Sequence, residues 1–175
     1  MPAVFNKLGI FFEYPDNWLL EEHLVEGQTD NGAVERAEVV VSGPQTAFWH
    51  LSTHPANVDL ESLCDEALAA MRAEYPGMEV EPANDLTSAG GWLDREQGNG
   101  KGEEGLIGFN ANFICLDLTV TAWLRGFRAC ATSYLLLCQA EDRELSDVGP
   151  VFRAMWVSLL RGARARRQEL GIGDV

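Results

Sequence analysis

His23, His50 and His54 are the only imidazoles that this chain of 175 residues offers for proton transfer or metal binding. His50 and His54 stand four apart, a spacing that pairs two imidazoles on a helix. Here, however, the flanking FWHLST (Phe48 to Thr53) and Pro55 describe the end of a strand. On a strand the two rings share a face but lie roughly 13 Å apart at about 3.3 Å per residue, too far to share one ion without a turn. Polar surface histidines are therefore expected. Cys64, Cys115, Cys130 and Cys138 sit in apolar sequence and form no CxxC, which makes them reduced core residues rather than zinc ligands or nucleophiles. No serine occupies a GxSxG turn. Lys101 in QGNGKGEEG fails as a phosphate loop: Gly102 follows where Ser or Thr is needed, Arg95 stands where the first Gly belongs, and no helix follows. Carboxylates discriminate nothing among 27 acidic residues. No catalytic residue, metal or cofactor is assigned on these grounds.

Asp117 is the one charged residue in the longest apolar run, between Leu116 and Leu118. A partly solvated sheet face explains it simply, in keeping with Thr119 and Thr121 beside it. The sharper alternative is a ligand pocket holding Asp117 and His50, with Trp123 or Tyr134 as an apolar wall. Trp92 and Trp49 are candidate partner-surface anchors, since aromatic residues dominate binding hot spots. The formal charge of −14 repels nucleic acid and anionic membrane and favours basic protein surfaces or cationic ligands, solubility alone being the plainer reading. Arg161, Arg164, Arg166 and Arg167 concentrate positive charge near the C-terminus and either grip an acidic partner, complement a helix C-terminus or lie on the chain's own acidic body.

The elements that must position these groups follow from hydrophobic period. LGIFFEYP (Leu8 to Pro15) alternates as a strand, and WLLEEHLV (Trp18 to Val25) is expected to return beside it. AVERAEVVVSG places Ala37, Val39 and Val41 on one strand face, and FWHLST follows. Leu60, Leu63, Cys64, Ala67, Leu68 and Met71 recur at helical spacing, with Asp59 as N-cap and Tyr75-Pro76-Gly77 as the stop. GMEVEP and GGWLDREQ are further strands. Leu106 to Gly126 is expected as one long strand with a bulge near Asn110 to Asn112, turning at Arg125-Gly126 into Phe127 to Gln139. Glu141 to Val148 suggests a short helical turn. Pro150 then opens a second helix through FRAMWVSLL, which ends at Gly162.

These elements predict an α+β domain, residues 1–162, with a largely antiparallel sheet flanked by two long amphipathic helices, and a frayed basic tail over 163–175. No apolar run reaches the roughly 20 residues of a membrane span, and MPAVFNKLGIFFEYP lacks the apolar core of a signal peptide. A cytoplasmic location is expected. FEYPDNW (Phe12 to Trp18), the acidic helix DLESLCDEALAAMRAEYP (Asp59 to Pro76) and the closing helix FRAMWVSLL (Phe152 to Leu160) resemble, in type and order, the PsbP-like fold. That family includes an extrinsic subunit of photosystem II and a nuclear-import factor that binds the GTPase Ran. The resemblance implies an α/β/α sandwich that binds proteins rather than catalyses, and it transfers no functional residue. The expected function is a non-catalytic protein-interaction or adaptor domain with an acidic surface, a homodimer being one possible assembly. The alternative is a small-ligand binder or enzyme with a pocket near Asp117.

Overall fold

A computed structural model describes residues 1–25, 36–83, 105–130 and 132–169. β1 (Pro2–Lys7) and β2 (Ile10–Pro15) form a two-stranded antiparallel sheet of their own. Leu8 and Gly9 close this hairpin with φ of 55° and 72°, the doubly left-handed turn that matches strand twist. β2 therefore pairs with a strand the sequence pattern did not indicate. It does not pair with β3 (Leu19–Val25), as had been expected.

β3 instead pairs with β4 (Arg36–Ser42), and β4 with β5 (Phe48–Pro55). The other strands are β6 (Glu79–Pro82), β7 (Leu106–Cys115), β8 (Leu118–Ala129) and β9 (Thr132–Glu141). The sheet runs β3-β4-β5-β9-β8-β7-β6 with every neighbouring pair antiparallel. The expected hairpin at the middle of the sheet is present as β8 and β9. The expected single strand from Leu106 to Gly126 is two strands, because the chain reverses at Leu116 and Asp117. The β7–β8 register is unbroken, so no bulge forms at Asn110 to Asn112. Gly126 lies inside β8, not at a turn. A Cβ there would meet Cys64 Sγ at 2.9 Å and Leu60 Cδ1 at 3.0 Å, so glycine lets a helix press against the strand.

That helix is α1 (Leu60–Glu74). Asp59 caps it by accepting from Ser62 N at 2.9 Å, and this backbone donor holds the Asp59 carboxyl below its ordinary range. The second helix, α2 (Asp142–Glu169), spans 28 residues against 15 for α1, so only α2 is long. Its polar first turn is helical because Glu144 reaches back to the β4–β5 connection, accepting from Thr46 N at 3.0 Å and Thr46 Oγ1 at 2.7 Å. Pro150 accordingly lies inside α2 rather than at its start, and Gly162 does not end it. The frayed tail expected from residue 163 is helical to Glu169. Ala163 is buried, and Arg166 packs over Gly9 at the β1–β2 turn.

Alternation along β9 separates the two cores. Tyr134, Leu136, Cys138 and Ala140 join Val39, Val41, Trp49, Leu51, the β1–β2 aromatics and α2. Leu135 and Leu137 point the other way, to Cys64, Leu68 and Leu124 under α1. The two helices thus lie on opposite faces of one mostly antiparallel sheet. No helix among the described residues is long and apolar enough to cross a membrane.

Candidate functional site

The turn between β7 and β8 is built from Leu116 (φ 50°) and Asp117 (φ 62°), neither of them glycine. A bulky side chain in the left-handed region costs about 1 kcal/mol or more, and such strain collects where side-chain placement matters. The turn projects apolar surface into solvent: Leu116 is 90% exposed and Ile114 is 72% exposed. Its base is rigid. Tyr75 at the end of α1 stacks on Phe113 with ring centroids 4.2 Å apart. Burial, aided by the neighbouring Cys115 thiol, pushes the Tyr75 hydroxyl pKa up.

From Ile114 the face turned away from α1 continues across Asn112, Asn110, Thr119, Thr121 and Trp123, bordered by Glu79 and Glu81 of β6. Thr121 Oγ1 lies 2.9 Å from Asn112 Oδ1 and 2.7 Å from Asp142 Oδ1, one hydroxyl shared by two acceptors. Arg125 donates from Nη1 to Phe109 O at 2.7 Å and from Nη2 to Asn110 Oδ1 at 2.9 Å. Arg153 of α2 stands 5.3 Å over the half-buried Trp123 ring, which also meets Phe152 edge-on. The assembly is an apolar tip and a tryptophan joined by amides and hydroxyls, with exposed carboxylates on Glu79, Glu81, Asp117 and Asp142.

The residues proposed for a pocket are not gathered. Asp117 is on the exposed turn, not in a strand, because the run around it is a hairpin. Tyr134 is buried against Phe127, stacked at 4.5 Å under α2, where burial pushes its hydroxyl pKa up. His50 alternates with Trp49 on β5 and so lies on the opposite sheet face from Trp123. Of the two partner-surface tryptophans, Trp49 is 0% exposed and packs on Phe12, which corrects its assignment to the surface. Trp92 lies outside the described residues, as do the strand expected at Gly90 to Gln97 and most of the glycine-rich segment after it. Ile114 and Leu116 are exposed apolar anchors that hydrophobic period alone does not reveal. Their signal was Asp117 itself, since a charge amid an apolar run marks a turn as readily as a pocket.

All four cysteines are free. Burial pushes the Cys64 thiol up to about 11 and raises that of Cys138, so neither supplies a thiolate at neutral pH. Among the described residues no group of three or more His, Cys, Asp or Glu side chains is placed to hold a metal ion. The chain matches no protein-family model and no curated protein.

Proposed function

We propose that the domain is a non-catalytic protein-interaction or adaptor module that docks a basic partner on the surface running from Leu116 to Trp123. The observation that carries this reading is the exposed Ile114 and Leu116 pair on a strained turn with a fixed base. Exposed apolar side chains with a polar rim are what a partner's pocket engages. The carboxylates around them and the net charge of −14 select a basic partner over nucleic acid or anionic membrane. A second copy of the chain is the competing occupant. A ligand pocket near Asp117 has less support, because its candidate residues are dispersed.

Two wider assignments accompany this reading. Helices on opposite faces of one sheet, with a strand-first order and a closing helix, support a PsbP-like α/β/α sandwich formed as one domain, with α2 running on into the arginine-rich segment. Four free cysteines support a reducing, cytoplasmic setting.

Leu116→Asn separates the tip's function from its fold. Asparagine tolerates the left-handed region, so the variant gains stability of about 1 kcal/mol or less while the apolar anchor is lost. In a pull-down from host lysate, basic proteins retained by the parent at low salt should fall about tenfold or more with Leu116→Asn, and also at high salt. Equal retention of the same proteins by parent and variant would remove the tip from the interface. Sedimentation of the parent and variant, read alongside, tests the homodimer.

A further inference from the structure

All three histidines of the chain converge on the face of β3, β4 and β5 that lies on the α1 side of the sheet. Registers place His23 of β3 directly across from Glu38 of β4, and Glu38 across from Ser52 of β5, with His50 and His54 two residues to either side of Ser52. Glu38 is the hub. Its Oε1 meets Arg36 Nη2 at 2.6 Å, and its Oε2 lies 3.7 Å from His50 Nε2. His54 Nε2 shares a hydrogen bond of 3.0 Å with Ser52 Oγ. The backbone beneath this cluster is a point of weakness. The β4–β5 ladder ends at Glu38 and Ser52, and beyond it Ala37 N donates to the Thr53 side chain at 3.0 Å.

We infer that this face is an acid-sensitive latch: proton uptake by the histidines loosens the β3–β4 ribbon from β5 while β7, β8 and β9 stay folded. With the histidines neutral, carboxylates outnumber cations on this face, so the effect of an added proton is set by which charged group stands nearest each ring. Arg36 of β4 and Arg128 of β8 stand against Glu21 of β3, Glu38 of β4 and Glu66 of α1, with Glu141 on the same face at the far end of β9. Arg128 is already engaged, donating to Ser133 Oγ at 3.3 Å and to Val58 O at 3.0 Å. A proton on His50 finds Glu38. A proton on His54 meets Arg36 first, because extending the β4–β5 register places Arg36 across from it, and Glu38 and Glu66 offset that repulsion less, so His54 is the trigger.

Burial is the leading cause that lowers the proton affinity of both His50 and His54, with Arg36 adding to it. The sign follows: a histidine whose folded pKa is depressed contributes stability that is complete above the unfolded value near 6.5. That stability is lost as pH falls from there through the folded value. The ribbon is the part that gives way, since it is an edge and its ladder is short.

The experiment is amide exchange, corrected for intrinsic rates, on the full chain between about pH 7.5 and pH 5, beside NMR titration of the three rings. Exchange at Ala37 to Val41 should rise about tenfold relative to β8 as the pH falls, and His54→Gln should hold that rise below about twofold. Equal loss of protection in β4 and β8 would overturn the latch, as would an unchanged rise in His54→Gln. Should that variant fail to fold, the parent decides: ordinary titration of His50 and His54 near 6.5 overturns the proposal, and depressed titration coincident with β4 opening supports it.

Discussion

Trp49→Ala is expected to remove about 3–5 kcal/mol of folding stability, a large share of the roughly 5–15 kcal/mol that holds a domain of this kind together. Trp49 is 0% exposed and occupies the centre of the larger core. Phe12 of the β1–β2 hairpin packs against it at a tilt, with ring centroids 4.6 Å apart, while Val41 and Cys138 are its register partners on the strands to either side. Truncation would therefore open a cavity where the two sheets and α2 meet, and rigid β-strands on both sides limit collapse around it. Urea unfolding should show a lower midpoint with little change in slope. Trp49→Phe sharpens the test. Trp49 Nε1 has no hydrogen-bond partner among the described residues, so removing it leaves no acceptor orphaned. The phenylalanine variant should keep most of the stability, losing about 1–2 kcal/mol for its smaller volume. A loss below about 1 kcal/mol in Trp49→Ala would mean that the hairpin does not depend on this contact.

Period-2 and period-3.6 patterns were legible because burial of one face enforces them. Ala37, Val39 and Val41 turn inward together on β4, and Leu60, Leu63, Cys64 and Leu68 do so on α1, as their spacing required. Punctuation was where the reading failed, and for one physical reason. Glycine serves two ends, conformational freedom and absence of bulk, which look alike in a sequence. Gly126 and Gly162 look in sequence like a turn and a helix end, yet both sit inside regular elements where a neighbour comes too close for a Cβ. The true turn at Leu116 and Asp117 carries neither glycine nor asparagine, so nothing divided the run from Leu106 to Gly126. That single omission puts Asp117 in a strand on sequence grounds, whereas it stands on a turn apart from His50 and Tyr134. β1 escaped notice because an edge strand such as PAVFNK buries only Phe5 and need not alternate. The histidine face was invisible for another reason: His23 meets Glu38 only through pairing across strands, which no local pattern encodes.

Gly162→Val sets two familiar effects against each other. On helix propensity alone, replacing an interior glycine stabilises α2 by up to about 1 kcal/mol. At this position, however, a Cβ would lie 2.6 Å from Phe11 O and 2.8 Å from Phe11 Cβ. The carbonyl belongs to β2, whose next residues are tied down on both sides. Phe12 is buried against Trp49, and Glu13 N donates to Ser158 Oγ of α2 at 2.7 Å. Neither backbone can shift by a few tenths of an ångström without breaking that hydrogen bond or lifting Phe12 from the core. Sterics therefore win, and a net loss of about 2–3 kcal/mol is expected for valine, with alanine losing less because it adds only the Cβ. The damage should be local at first. Exchange of the Glu13 amide should quicken before that of the β8 amides, reporting that the β1–β2 hairpin has left α2 while the seven-stranded sheet persists. A Gly162→Val variant more stable than its parent would show that propensity prevails and that the close approach of α2 to β2 is relaxed in solution.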